Sequence, residues 1–208
     1  MMLQLIFVLS TLISITEASD VFRCIGSSVQ LDIQDPLPPF DDLFWVFNRS
    51  KNVVKYNKKH NDSTLYSLFQ SRVEFNEETY SLTLKNLQKT DSGPYEVRVS
   101  AHEITDVAEY RLSVLDPVEA PVLTHHLSRD TCNITLTCRG HDLSIHSSCN
   151  NETCDKKEVT SPGGVTLYLS FNGSFIICNV SNPVSWKTDH LEVGQLCADE
   201  GECVNTDA

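Results

Sequence analysis

Short stretches in which hydrophobic and polar residues alternate recur along most of the chain. Examples are residues 29–33, 82–84, 96–99 and 134–137, which are separated by polar segments typical of turns. A period of two is typical of a β-strand with one buried face, and many short strands joined by turns favour an antiparallel sandwich. No long stretch has the periodicity of a helix, so the pattern predicts an all-β protein.

The first residues form an apolar run of a different kind. Residues 3–15 are almost continuously apolar, but the run is too short to be a membrane-spanning helix. Residues 16–18 then place small side chains at the two positions that a signal peptidase reads. We therefore predict a signal peptide over residues 1–18 and an extracellular mature chain. No later run reaches membrane-spanning length, so both a secreted protein and the ectodomain of an anchored protein remain open.

Two prolines interrupt the alternating pattern near the middle of the chain, within residues 115–121. Proline lacks an N–H group and cannot continue a central strand. The mature chain of about 190 residues is long enough for two sandwich domains of about 100 residues each. We predict two tandem domains over residues 19–116 and 117–198, followed by a polar tail over residues 199–208.

The first predicted domain has the tryptophan of an immunoglobulin fold but not its disulfide. Trp45 lies twelve residues after Ile33, where the buried tryptophan of strand C is expected. Ile33 and Val97 occupy the positions at which antibody domains have cysteines. Losing such a bridge costs about 2–5 kcal/mol, and a large apolar pair packed on Trp45 could recover part of it. The pattern predicts a variable-type domain without a disulfide.

A second immunoglobulin feature lies just before Val97. Tyr95 precedes it by two residues, which is the spacing of a tyrosine corner. Asp91 comes four residues earlier, and we expect its carboxylate to pair with Arg72 at the base of the domain.

Four cysteines predict that the second domain is closed by two disulfides. Cys132 and Cys138 are six residues apart and so lie on the same side of one strand, from which each can reach a different partner. Cys178 follows an apolar stretch typical of strand F, and Cys197 falls where strand G is expected. We predict the bridges Cys138–Cys178 and Cys132–Cys197, which make this a constant-type sandwich stapled by disulfides.

The remaining cysteines have more than one interpretation. Cys149 and Cys154 lie close to His141 and His146, in a cluster that resembles a zinc site. In an exported chain a local Cys149–Cys154 disulfide is the favoured alternative, so we predict no metal.

Two further cysteines, Cys24 and Cys203, fall near opposite ends of the tandem. This separation is too large for a bond between them. Each is either a free thiol or a link to another chain, and Cys203 is the better candidate for pairing with another chain because it lies in the polar tail.

Glycosylation motifs and charge support an extracellular protein. Six N-x-S/T sequons predict a heavily glycosylated surface, and the formal charge of −12 argues against nucleic acid and anionic membranes as partners. We find no catalytic motif of the G-x-S-x-G, P-loop or H-E-x-x-H type, and we expect neither an enzyme nor a protein with a cofactor. The sequon asparagines are Asn48, Asn61, Asn133, Asn151, Asn172 and Asn179.

Three features together resemble the signalling lymphocytic activation molecule (SLAM) family of leukocyte receptors. They are the variable-type domain without a disulfide, the strand over residues 132–138, and the segment Cys-Asn-Val-Ser-Asn-Pro-Val-Ser-Trp over residues 178–186. The resemblance covers both domains and is strongest to the short GPI-anchored adhesion ligand of the family. It implies a ligand for cell–cell adhesion of immune cells, which binds a family ectodomain or itself through the outer sheet of its first domain.

Strand alternation predicts the binding face. If Trp45, Val97 and Val99 point into the core, their neighbours on the same strands point outward, and the next strand extends the face. The alternative is that the outward apolar residues are covered by a neighbouring strand or by sugar. The predicted partner-binding residues are Phe44, Val46, Lys55, Tyr56, Glu96, Arg98, Ser100, Glu109 and Arg111.

A second function fits the same sequence. A soluble decoy or modulator of such receptors would bind through the same face without signalling. The end of the full transcript would distinguish the two, because an anchor favours the ligand and a stop codon after Ala208 favours the decoy.

Overall fold

The structure is a computed structural model that describes residues 18–34, 36–66, 71–128, 133–149 and 154–193. The predicted signal peptide up to residue 17, Cys132, Cys197, Cys203, Asn151 and the tail over residues 199–208 lie outside the described residues. The described part of the chain is all-β, apart from one 3-10 turn, and folds as two tandem immunoglobulin-like β-sandwiches. The predicted fold class is confirmed.

The first nine strands and the 3-10 turn come from the first half of the chain. They are β1 (Ser19–Cys24), β2 (Val29–Leu31), β3 (Asp42–Phe47), β4 (Lys51–Asn57), β5 (Asp62–Leu65), β6 (Val73–Phe75), β7 (Leu82–Leu84), the 3-10 turn Lys89–Asp91, β8 (Gly93–Ser100) and β9 (Ile104–Leu115).

Seven more strands follow. They are β10 (Val122–Leu127), β11 (Ile134–Gly140), β12 (Leu143–Cys149), β13 (Lys157–Thr160), β14 (Thr166–Phe171), β15 (Phe175–Asn182) and β16 (Ser185–Glu192).

The described residues divide into two compact units. The first comprises residues 18–21 and 28–113, and the second comprises residues 22–27 and 114–193. This division falls next to the proline-containing segment, and it assigns the short stretch 22–27 to the second unit.

The first unit is a variable-type sandwich. Its large sheet has the strand order β1-β9-β8-β3-β4-β5 and its small sheet the order β2-β7-β6, so that strands distant in sequence lie side by side. The inner faces bury Trp45 and Val97 completely, and the indole N–H of Trp45 donates to the carbonyl of Tyr80 at 2.9 Å. The prediction for Ile33 was wrong, because Ile33 lies beyond the end of β2 and is only half-buried, whereas Leu31 is the buried residue of that strand.

The predicted corner at the base of the first unit is present. Two guanidinium N–H groups of Arg72 donate to the carboxylate of Asp91, at 2.6 and 2.8 Å, and the amide of Gln88 donates to it at 2.8 Å. The hydroxyl of Tyr95 donates to the Asp91 carbonyl at 3.0 Å. Burial alone would raise the pKa of Asp91, but the hydrogen bonds from Arg72 and Gln88 outweigh it and hold the pKa below its ordinary value. The corner therefore fixes the start of β8, the strand at the centre of the predicted binding face.

The second unit is built from consecutive strands. One sheet has the order β10-β11-β12 and the other the order β13-β14-β15-β16, so neighbouring strands are joined by hairpins. The β11–β12 turn contains only two residues, and the first, His141, has a φ of 55° in the left-handed region that such tight turns require. The described core of this unit consists of Ile134, Leu136, Cys138, Ile145, Cys149, Val165, Leu167, Leu169, Ile176, Cys178 and Val180.

Two predicted disulfides are present in the second unit. Cys138 on β11 is bonded to Cys178 on β15, with 5.7 Å between the Cα atoms, so the bridge joins the two sheets through the core. Cys149 is bonded to Cys154 across a local bridge. Cys24 is half-buried and free of a disulfide.

Candidate recognition face

The outer face of the large sheet in the first unit follows from the strand register. Residues directly opposite one another on antiparallel strands point to the same side. Phe44 lies opposite Lys55 on β4 and opposite Arg98 on β8, and Glu96 lies opposite Glu109 on β9. Each of these positions alternates with a buried neighbour such as Trp45 or Val97, and together they form the face we call the recognition face.

Tyr56 does not belong to this face, and its prediction was wrong. It lies opposite Leu43, whose side chain is in the core, and is only 3% exposed. Its ring packs against Phe75 and Tyr80, and its hydroxyl donates to the side chain of Asn61 at 2.8 Å. Adjacent residues of a strand point to opposite sides, so the outward position of Lys55 already required Tyr56 to point inward.

Two other predicted contact residues lie on the outer side but are covered. Val46 is 2% exposed, because it lies in a central strand between Asn52 on β4 and Glu96 on β8. Glu96 itself is 6% exposed. Neither side chain can make a large direct contact with a partner, so both predictions of partner contact were wrong. For Val46, coverage by neighbouring strands is one of the alternatives that the sequence left open.

The covered carboxylate of Glu96 organises the charges around it. Arg49 approaches one carboxylate oxygen at 3.3 Å, and Arg98 donates to the other. Arg98 also donates from its Nε atom to Asp106 at 3.1 Å. Arg49 and Asp106 are well exposed at the outer end of these contacts. The network therefore links a covered carboxylate to charged groups on the surface.

Two further ion pairs lie on the same face. Lys55 lies 3.4 Å from Asp42, and its ammonium also lies over the ring of Phe44, 5.4 Å from the centroid. Arg111 lies 3.8 Å from Glu109 at the β9 side of the sheet. Half-exposed pairs of this kind contribute only about 0–1 kcal/mol to stability, so the fold does not depend on their present partners.

The face that results has one aromatic residue among mixed charges. Phe44 and Ser100 are half-exposed, as predicted, and Arg111 is exposed. Sequence reasoning missed Arg49, Asp106 and Asp42. A β-bulge in β9, opposite Val97 and Arg98, shifts the register so that Arg98 lies opposite Asp106, and strict alternation contains no signal for such a shift.

The sequons within the described residues are spread over both units. Asn48 and Asn61 lie in turns with positive φ, and Asn133 and Asn172 are exposed next to strands. Asn179 differs from these because it is half-buried in the middle of β15. Five of the six predicted sites are therefore placed by the structure, and their glycosylation stays a prediction.

The zinc alternative can be compared with the geometry of the cysteine–histidine cluster. His146 contacts the hydroxyl of Thr137 at 3.1 Å, and Cys149 and Cys154 are bonded to each other. Over the described ranges, no group of three or more His, Cys, Asp or Glu side chains is arranged to hold a metal ion. No helix in the described part of the chain is long and apolar enough to cross a membrane.

Comparison with known proteins supports the family resemblance. No protein-family model matches the chain. The chain is 27% identical over 192 residues to human T-lymphocyte surface antigen Ly-9, an alignment that covers 85% of this chain and 29% of that protein. It is also 27% identical over 187 residues to mouse SLAM family member 5, covering 84% of this chain and 54% of that protein. The resemblance to the SLAM family is confirmed, and the chain spans about half or less of the length of these relatives.

A solved structure shares the fold of both units. The CD2-binding domain of CD58, also called lymphocyte function-associated antigen 3, superposes with a TM-score of 0.53 at 18% identity, covering 85% of this chain and 97% of that chain. The relatives are immunoglobulin-superfamily receptors and adhesion ligands, not enzymes. The similarity supports an extracellular protein that takes part in recognition at the immune-cell surface.

Proposed function

We propose that this chain is a recognition ligand of immune cells that binds a SLAM-family ectodomain, or a second copy of itself, through the recognition face. The observation that carries the proposal is the arrangement of Phe44 among partly exposed charges of both signs. Phe44 lies beside Lys55, while Arg111 and Glu109 lie further along the same face. The proposed contact set is Phe44, Lys55, Arg98, Ser100, Glu109 and Arg111, with Arg49, Asp42 and Asp106 added from the structure.

The chemistry of this face suits a selective, weak contact between cells. Interspersed charges steer encounter and reject wrong partners more than they raise affinity. A half-exposed aromatic ring supplies the buried anchor that dominates many interfaces. Because the face contains both acids and bases, a related face or a second copy of it can offer opposite charges to each.

The relatives support the same proposal. The CD58 structure is described as a CD2-binding domain, and the chain is 28% identical to human natural killer cell receptor 2B4 in an alignment of 196 residues that covers 86% of this chain and 52% of that protein. These names support a protein partner of the immune-cell surface.

The test is a binding screen of the full chain against SLAM-family ectodomains and against itself, followed by charge reversal. In Lys55→Glu/Arg111→Glu both substituted side chains lie on the recognition face and their ion pairs are partly exposed. We expect this variant to lose about tenfold in affinity, or 1.4 kcal/mol. The control is Lys85→Glu, because Lys85 pairs with Glu74 on the opposite sheet and its exposed fraction of 50% lies between those of Lys55 and Arg111.

Arg98 is left unchanged in this test for a structural reason. Reversing it would place a negative charge beside the covered carboxylate of Glu96, and an uncompensated buried charge destabilises the fold itself. Normal binding by Lys55→Glu/Arg111→Glu, with native circular dichroism, would overturn the proposed face.

A further inference from the structure

The second unit has an exposed tryptophan on the outer face of its four-stranded sheet. Trp186 lies near the start of β16 and is 67% exposed, whereas Trp45 in the first unit is fully buried. On the adjacent strand β15, Cys178 and Val180 point into the core, so Asn179 and Ser181 point outward. Trp186 therefore presents a large aromatic surface on the outer face of the sheet.

The register of β15 and β16 places a sequon beside this tryptophan. Asn179 lies opposite Thr188, and Trp186 lies opposite Ser181, the third residue of the same sequon. Directly opposite side chains are about 5 Å apart at Cβ, and diagonal neighbours are about 7–8 Å apart. The side chains of Asn179 and Trp186 are therefore diagonal neighbours on one face.

A second aromatic residue lies on the other side of the asparagine. Tyr168 on β14 is directly opposite Asn179 and half-buried, and Ile177, two residues before Asn179 on the same strand, is also half-buried on this face. Asn179 thus projects from the centre of a surface made of Tyr168, Ile177 and Trp186. We call this surface the aromatic platform.

We propose that the N-linked glycan of Asn179 packs on the aromatic platform and is the group that covers it. The first sugar is joined directly to the asparagine amide, so its reach is limited to neighbouring side chains. The C–H groups on one side of that sugar form an apolar surface that can stack on an aromatic ring, while its hydroxyls remain in water. A bulky glycan at the centre of the sheet also prevents a protein from docking there, which favours the sugar over a protein as the occupant.

The tryptophans provide a direct readout. The chain has two tryptophans, and since Trp45 is fully buried, acrylamide quenching of tryptophan fluorescence reports mainly on Trp186. The full chain is expressed in a mammalian secretory host, and glycan occupancy is measured by mass spectrometry. We expect Asn179→Gln to raise the quenching constant toward that of a freely exposed tryptophan. The matched control Asn172→Gln removes the exposed sequon just before β15 and should leave quenching unchanged.

A second variant separates loss of the sugar from loss of the asparagine. Ser181→Ala removes the sequon but keeps Asn179, and it should raise quenching as Asn179→Gln does. Both variants should lower the unfolding midpoint of the second unit by about 4 °C or more, which is the scale of a lost aromatic contact in a domain of this size. In a Trp186→Ala background the effect of Asn179→Gln on the midpoint should become smaller.

Several outcomes would overturn the proposal. One is an unmodified Asn179 in the secreted protein. Another is a Trp186 that is equally quenched in the wild type, Asn179→Gln and Ser181→Ala, which would mean that the platform is open for another occupant such as a partner protein. If neither variant is secreted, the glycans are removed enzymatically from the folded wild type, a cleavage that converts Asn179 to aspartate. The quenching of Trp186 is then compared before and after removal.

Discussion

The two units are each held together by different interactions. In the first unit, Arg72, Asp91 and Tyr95 form a hydrogen-bonded corner that fixes β8, and residues 28–113 contain no cysteine. In the second unit, a covalent bond between Cys138 and Cys178 joins the two sheets. A disulfide acts mainly by restricting the unfolded chain, whereas the corner acts only in the folded state. The first unit should therefore respond to charge and pH, and the second to removal of its bridge.

The largest expected effect comes from breaking the corner. Arg72→Ala leaves the carboxylate of Asp91 buried without its cation, and breaking a buried pair costs about 3–5 kcal/mol. Calorimetry of the full chain should show the first unit unfolding at a much lower temperature, with the transition of the second unit unchanged. Equal shifts of both transitions would contradict the separate stabilisation of the two units.

Removing the central disulfide is the converse experiment. The bridge spans 40 residues, for which the chain-entropy relation gives about 4 kcal/mol, so Cys138→Ala/Cys178→Ala should destabilise the second unit alone. Cys149→Ala/Cys154→Ala removes a bridge that spans 5 residues and should cost about 2 kcal/mol by the same relation. If the short bridge proved the more important of the two, stabilisation through the unfolded state would be the wrong explanation.

The smallest effect is a difference in the response to acid. Because the pKa of Asp91 is lowered in the folded state, its stabilising contribution is complete above the ordinary pKa near 4 and is lost as the pH falls through the lower folded value. The midpoint of the first unit should therefore fall below about pH 4 more steeply in the wild type than in Asp91→Asn. Parallel acid profiles for the two proteins would show that the corner carboxylate is not the responsible group.

Much of the fold could be predicted from alternation and spacing. Trp45, Val97 and Val99 are buried as their positions in the pattern indicated, and the spacing of Tyr95, Asp91 and Arg72 predicted the corner. The consecutive hairpins of the second unit could not be predicted, because the same alternation fits any antiparallel neighbour. The two-residue turn that begins at His141 fixes the pairing of β11 with β12.

The recognition face was less predictable than the core. Alternation tells which side of the sheet a residue is on, but it does not tell whether a neighbour covers it, as Val46 and Glu96 show. The Arg98–Asp106 ion pair depends on the bulge in β9, which brings Asp106 directly opposite Arg98 on β8. These features belong to the tertiary structure and leave no local pattern in the sequence.

The central claim is that recognition takes place on the first unit and not on the second. Its most direct test is the affinity of Lys55→Glu/Arg111→Glu for the ectodomain found in the screen, measured beside Arg139→Glu, a charge reversal at an exposed position of β11 in the second unit. We expect the first variant to bind about tenfold more weakly and Arg139→Glu to bind like the wild type. Normal binding by Lys55→Glu/Arg111→Glu together with weakened binding by Arg139→Glu would contradict the claim.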